Sequence, residues 1–524
     1  MIKTDIKLPL KYRSEDILSA IKERLPIELE EIKEYRLVKR TLDVSDKQKI
    51  HYKATVAIAC SEEREQGLLK MRKTVFTYEL PSFELPVSRL SSRPIIIGAG
   101  PAGLFCALAL AESGARPILF ERGLAVEERT EKVKLFATLG LLDSECNVQF
   151  GEGGAGTYSD GKLKVGGMDK YKYKILNEFI NAGADEDILY STSAHVGTDR
   201  LSKIIKALRE KIISLGGEMH FGAKLVEIKT KDNKIVGCVI EKDGERKEFI
   251  TDTLVMAIGH NARDSFELLL KNGAKLIPRG FGIGVRIEHP REYINTIVYG
   301  KDYPSDIETA SYHLVTHLDN GRSVYSFCMC PGGTVVPAAS DEGGIVTNGM
   351  SEHLRDGENS NAAFLVSVTP EDFGSPDPLA GVDFQRKIER KAYRATGSYK
   401  APTQTTVSLL TGEKSTFHDS VKPSYPIGTE NIPSTDYLPE FVTDSLRAAV
   451  PDFDAWLPGF YYPGAAITGP ETRTTSPVRV LRTETFEAVG IKGLYPAGEG
   501  AGYAGGIVSS ARDGLMIAEA VLAK

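Results

Sequence analysis

Two hexapeptides carry glycines at the spacing a pyrophosphate requires: Gly98-Ala99-Gly100-Pro101-Ala102-Gly103 and Gly500-Ala501-Gly502-Tyr503-Ala504-Gly505. In such a turn the first glycine permits a sharp strand-to-helix reversal. The second lets the backbone approach phosphate oxygens, and the third lets the helix pack on the strand. The helix start then presents free N–H groups and partial positive charge to the anion. The first copy has the full context. Apolar "PIII" precedes it, Pro101 and Ala102 lie in the turn as cofactor-binding positions, "LFCALALAESG" follows as a helix, and the next strand, "PILFER", ends in Glu121, 23 residues after Gly98. An acid there can accept hydrogen bonds from a ribose diol. The second copy lacks that context: the 19 residues after Gly505 read as one helix, which leaves no strand to supply an acid. The two loops are therefore expected to serve one dinucleotide.

Arg122 completes a "GxGxxG…hxhER" pattern that resembles flavoproteins of the glutathione-reductase-like superfamily, and this resemblance implies FAD. "LYPAGEGAGYAGG" resembles the C-terminal flavin motif of that superfamily. The resemblance places Glu499, after Gly498, at the ribitol, although aspartate is usual there. It also points the helix start at Gly505, Gly506 and Ile507 toward the flavin. "TLVMAIGHNARD" resembles the crossing out of the FAD domain, with Ala257 and Gly259 near the cofactor, and Val226 takes the place of a backbone contact to adenine. "GEGGAGTYSDGKL" falls one residue short of a P-loop, and Leu163 stands where a magnesium-binding hydroxyl is needed. It is similar to glycine-rich loops beside the flavin, with Gly156, Thr157, Ser159, Asp160 and Lys162 as contacts. Together with "FCMCPGG", "ETRTTSPVR" and "YPAGEGAGYAGGIVSSARDG", these segments resemble the bacterial uncharacterised FAD-dependent dehydrogenase family. That resemblance implies FAD and redox chemistry, and brings neither a substrate nor a catalytic residue.

Three candidates for chemistry remain. In "YSFCMCPGG", Cys328 and Cys330 would share one strand face, where paired thiols can relay electrons; buried cysteine also serves as a small hydrophobe. "GPETRTTSPVRVLR" gathers Glu471, Arg473 and Arg479; Arg473 can grip a substrate carboxylate or steady a flavin anion, or the group can be an ion-pair cluster. His260 can donate a proton or simply mark a turn. No motif for a metal ligand set or a hydrolase nucleophile occurs, so no metal is expected.

These groups need elements to hold them. The fold expected is α/β: a Rossmann-like FAD-binding domain (91–265 and 480–524), an inserted α+β substrate domain (266–479) and a small N-terminal α+β domain (1–90) of βαβ type, its helix capped by Ser14. "KDNK" and "KDGE" read as hairpin turns of a meander. The 524 residues suit several domains, and 41% hydrophobic with 26% charged residues marks an ordinary globular chain. Six cysteines form no disulfide framework, and the start lacks a signal-peptide core, so a cytoplasmic protein with no membrane span is expected. The net charge of −6 gives no reason to expect nucleic acid, although residues 1–94 carry 19 Lys and Arg against 15 Asp and Glu. The function expected is an FAD-dependent oxidoreductase moving hydride between flavin N5 and a small molecule, with NAD(P)H as a transient reductant. An RNA-associated FAD protein is the alternative, and the oligomeric state stays open.

Overall fold

A computed structural model describes residues 1–71, 73–163, 167–415 and 421–524. The chain forms two compact units: Met1–Phe83, Lys162–His195 and Tyr299–Glu308 make the first, and the remainder makes the second.

The first unit is built on a sheet in the order Glu34–Asp43, His51–Ala59, Ile2–Leu8, Phe76–Thr77. Alternation along Ile2–Leu8 sends Ile2, Thr4, Ile6 and Leu8 inward. The helix Ser14–Arg24 brings Ile17 and Ile21 to the same core. The βαβ expectation is corrected here. Ile2–Leu8 pairs antiparallel with His51–Ala59, which in turn pairs antiparallel with Glu34–Asp43. The cap differs too: Ser14 lies inside the helix, and Asp16 accepts from the Arg13 N–H at 2.7 Å.

Arg40 explains why the later segments join this unit. Its guanidinium lies 4.8 Å from the Tyr52 ring, 5.2 Å from Tyr190 and 5.9 Å from Tyr12, and donates to Asp187 at 3.1 Å. Its backbone bonds to Tyr190 and Thr192, and Ser193 donates to Glu308 at 2.6 Å.

In the second unit a five-stranded parallel sheet runs Leu494–Pro496, Leu254–Met256, Ile95–Ile97, Ile118–Phe120, Glu218–His220. The short, mostly apolar strands suit a sheet covered on both faces. The helix Pro101–Glu112 buries ten consecutive residues, so it is enclosed on all sides, and it packs against Ile507–Leu522 and Thr198–Ser214. A meander follows over Ala223–Lys231, Lys234–Lys242 and Glu245–Ile250. Its two hairpins turn at Asp232-Asn233 and Asp243-Gly244, all with positive φ, as two-residue turns that match strand twist require.

Between residues 276 and 480 the chain makes a long excursion. It leaves through Leu276–Pro278 and returns through Val478–Val480, which pair antiparallel as a ribbon. Within the excursion a seven-stranded sheet forms around Phe281–Pro290, paired along its whole length with Asn359–Val368. Among the described residues no helix is long and apolar enough to cross a membrane.

Candidate functional site

The glycines show how the loops meet. Gly98 has φ +102°, and a Cβ there would drive into the Ala257 carbonyl oxygen. Gly103 is closed off in the same way by the Gly98 carbonyl. A Cβ on Gly154 would sit 3.0 Å from the Gly100 Cα, one on Gly156 would sit 2.9 Å from the Ile507 side chain, and one on Gly498 would sit 2.7 Å from the Ala102 Cβ. Gly500 abuts the Gly259 backbone. Four glycine loops distant in sequence therefore touch one another. Gly100, Gly259 and Gly505 differ from the rest: Gly259 and Gly505 face open space, and Gly100 meets only the Gly154 Cα at 3.8 Å. Beside this space start two helices with no side-chain cap among the described residues, Pro101–Glu112 after Gly100 and Ile507–Leu522 after Gly506. Their first N–H groups lack intrahelical acceptors.

Glu121 holds the loops in register. Its carboxylate accepts from the N–H groups of Ala99 at 2.7 Å and of Gly123 and Gly151 at 2.9 Å. A carboxylate offers about four lone-pair positions, so roughly one is left over. Arg122 is turned away. It chelates Asp264 at 2.9 Å through two nitrogens, donates to Glu145 at 2.7 Å and lies over Phe150. Val226 is the extra residue of a β-bulge between Leu225 and Glu227, which takes its backbone out of the ladder.

The loop around Gly151–Gly156 is organised by Arg129, a fully buried side chain. It donates to the carbonyls of Asn147, Val148, Glu152 and Gly154 at 2.6–3.0 Å and stacks on Tyr158. Helical spacing marks it in the sequence: Arg129 lies on the helix face of Val126 and Phe136, both buried. Within this loop Ser159 donates to the Gly156 carbonyl, and Thr157 donates to the Glu152 carbonyl. Asp160 is bound through both oxygens by Arg355, with one contact at 2.8 Å. Lys162, also expected beside the flavin, belongs to the first unit and pairs across a bridge with His195.

Glu152, fully buried, accepts from the Val126 N–H and Arg209 through Oε2, while its Oε1 has no hydrogen-bond partner among the described residues. Burial pushes the Glu152 carboxyl up to about 7, against the Val126 N–H and Arg209. The folded state thus binds a proton that an unfolded glutamate releases above its ordinary pKa of about 4.3. Stability is therefore higher below that pH and is lost as pH rises through 7, by roughly 3–4 kcal/mol for this group. Glu152→Gln is expected to flatten this part of the profile, measured by urea unfolding of the flavin-free protein from pH 5 to 8.

The terminal loop is fixed by Asp513, which accepts from the Gly498 N–H at 2.6 Å and is chelated by Arg482 at 2.7 and 2.8 Å. Its signal in the sequence is an acid among the small and apolar residues of the helix Ile507–Leu522. Glu499, next to Gly498, places Oε1 3.4 Å from Nδ1 of His260, whose Nε2 lies 3.1 Å from the Arg473 carbonyl oxygen. Because that carbonyl only accepts, Nε2 carries a proton.

Arg473, expected to reach a substrate, is engaged inside the protein. Nε and one terminal nitrogen donate to Glu389 at 2.9 and 2.8 Å, and the other nitrogen donates to Asn261 and Ser340. Glu389 is shared with Arg263 at 3.0 Å. Burial alone would raise the Glu389 carboxyl, but the two guanidiniums outweigh it and hold the carboxyl below the usual range. Cys330 is likewise enclosed. Its thiol donates to the Cys328 carbonyl at 3.3 Å. The strand bulges between Phe327 and Cys330, and Cys328 has φ +40°, so the simple alternation that put both thiols on one face is broken. Beside them Arg286 is chelated by Glu471 and donates to the Cys328 carbonyl at 2.9 Å.

Residues 280–474 match the family described as "FAD-dependent protein, C-terminal domain-like". A protein of Clostridium beijerinckii, described as uncharacterized, is 42% identical over 508 residues, covering 96% of this chain and 94% of its own. The chain belongs to the family of this clostridial protein. Solved structures resemble the family member more loosely. One is a 3-ketosteroid-Δ4-(5α)-dehydrogenase of Rhodococcus jostii RHA1, with 13% identity, TM-score 0.36, and 84% and 99% of the two chains covered. Another is a quinol fumarate reductase of E. coli, with 11% identity, TM-score 0.35, and coverage of 85% and 71%.

Proposed function

We propose that the chain holds one FAD, extended between its two glycine loops, and works as an FAD-dependent oxidoreductase, a dehydrogenase or reductase acting on a small-molecule substrate. The observation that carries this reading is the meeting of Gly98–Gly103, Gly151–Gly156, Gly259 and Gly498–Gly506, with the Cβ positions of Gly100, Gly259 and Gly505 left unobstructed. When bound, FAD supplies reversible uptake of a hydride at N5. The protein supplies the rest. The amides after Gly100 receive the pyrophosphate, and the position left on Glu121 takes a ribose hydroxyl. The bulged Val226 backbone meets the adenine. At the far half Gly498 and Glu499 face the ribitol, and the uncapped start at Ile507 lends positive charge to the ring. His260 Nδ1 and Glu499 Oε1 face each other across 3.4 Å at this edge.

Reconstitution with FAD tests the reading. The expected product is a yellow protein that dithionite bleaches without air. Anaerobic stopped-flow mixing with NADH and NADPH then decides whether NAD(P)H is the reductant, and a metabolite screen finds the substrate. Protein that stays colourless after reconstitution refutes it.

A further inference from the structure

The ribbon through which the excursion leaves and returns carries two arginines on one face. Register pairs Ile277 with Arg479 and continues to Arg279, whose N–H donates to the Pro477 carbonyl at 2.8 Å. Residues two apart on a strand share a face, so Ile277 and Arg279 lie on the side of Arg479. Among the described residues neither guanidinium has a carboxylate partner. Arg279 donates to the Thr475 hydroxyl at 3.3 Å, and Arg479 donates to the Gly502 carbonyl at 3.1 Å, within the terminal glycine loop. The nearby acid, Glu499, faces His260 instead. Both side chains are half-buried, so the two adjacent guanidiniums keep donors that no carboxylate takes. Burial, then the neighbouring Arg479, pulls Arg279 below its ordinary value, while Glu499 opposes this.

Two apolar groups flank the pair. Ile277, opposite Arg479, is 42% exposed, and Tyr503, 41% exposed, lays its ring 5.0 Å from the Arg479 guanidinium carbon. Arg482 also contacts the Tyr503 ring, at 3.8 Å, so the ring is held by two cations. A site with a doubled guanidinium fork and an apolar rim fits an anion carried on an apolar body.

We propose that Arg279 and Arg479 form the carboxylate-binding part of the substrate site, and that the substrate is a carboxylic acid with an apolar body resting on Ile277 and Tyr503. This rests on the FAD reading for its chemistry but not for its binding. The test uses full-length protein, with and without FAD, and phenylacetate as the probe against phenylacetamide, the same body without charge. Calorimetry is expected to show saturable binding of phenylacetate only. Charge-assisted hydrogen bonds are strong enough that each of Arg279→Gln and Arg479→Gln weakens it roughly tenfold or more, with Arg479→Lys keeping part of the affinity. Flavin content, read by absorbance, stays at the parental level in all three variants. Equal binding of acid and amide, no binding of either, or unchanged affinity in both Gln variants would overturn the site. Loss of flavin in the variants would overturn it as well, by assigning the arginines to the cofactor. If no preparation takes up FAD, only the functional reading falls, and the calorimetry still decides the anion site.

Discussion

Gly100→Val is expected to give a folded protein that no longer retains flavin. Gly100 has φ −74° and ψ 179°, a backbone open to any residue, and the space beside its Cβ position meets only the Gly154 Cα at 3.8 Å. The side chain is therefore tolerated, at a cost of about 1 kcal/mol as an altered helix N-cap. On the proposed reading its methyls would take the position a phosphate oxygen needs. Displacing even one or two charge-assisted hydrogen bonds lowers affinity by roughly two orders of magnitude. Gly98→Ala is the contrasting change. That residue lies at φ +102° with the Ala257 carbonyl in the way, so it is expected to lower stability before any cofactor is added. Flavin content by absorbance, beside thermal unfolding of the flavin-free forms, checks both. Equal flavin retention in Gly100→Val and the parent would mean that the space is not the cradle.

Glu389→Gln is expected to be the most damaging single change to the fold, costing about 3–5 kcal/mol. The carboxylate is the shared partner of Arg263 and Arg473, both nearly buried, and it also accepts from Thr472. An amide of the same shape keeps an acceptor but leaves two guanidiniums with one charge too few. The sign of the pH dependence follows from the lowered carboxyl. The stabilisation is full above the ordinary glutamate pKa, and it persists through mild acid because the folded group protonates only far below it. The parent should therefore gain stability over Glu389→Gln as pH rises toward about 4.3, with the difference constant thereafter. Chemical unfolding at pH 3 and 7 checks it, and a difference below about 1 kcal/mol at pH 7 would refute the pair's role.

How much of this was legible from residues alone depended on whether a feature is local. The strand, turn and helix around Gly98–Gly103 follow from glycine sterics and a run of apolar residues, and the hairpins at Asp232-Asn233 and Asp243-Gly244 follow from turn chemistry. The encounter of the two glycine loops was also readable, because no strand follows the second to supply an acid. The partners of charged residues were not. Arg473 and Asp160 look like ligand contacts in sequence, yet their counter-charges, Glu389 and Arg355, lie 84 and 195 positions away. Nothing in the local pattern marks them. Membership of the first unit failed for the same reason, since the Arg40 cluster gathers Tyr12, Tyr52 and Tyr190 across long separations.

The strand Leu494–Pro496 completes the parallel sheet by pairing with Leu254–Met256, made some 240 residues earlier. During synthesis that earlier strand leaves the ribosome long before its neighbour exists. Its apolar border stays unsatisfied throughout, a surface that invites aggregation. The pairing of these two strands thus waits until the residues between them have been made. Late completion of the sheet is a consequence of the order in which this polypeptide is written.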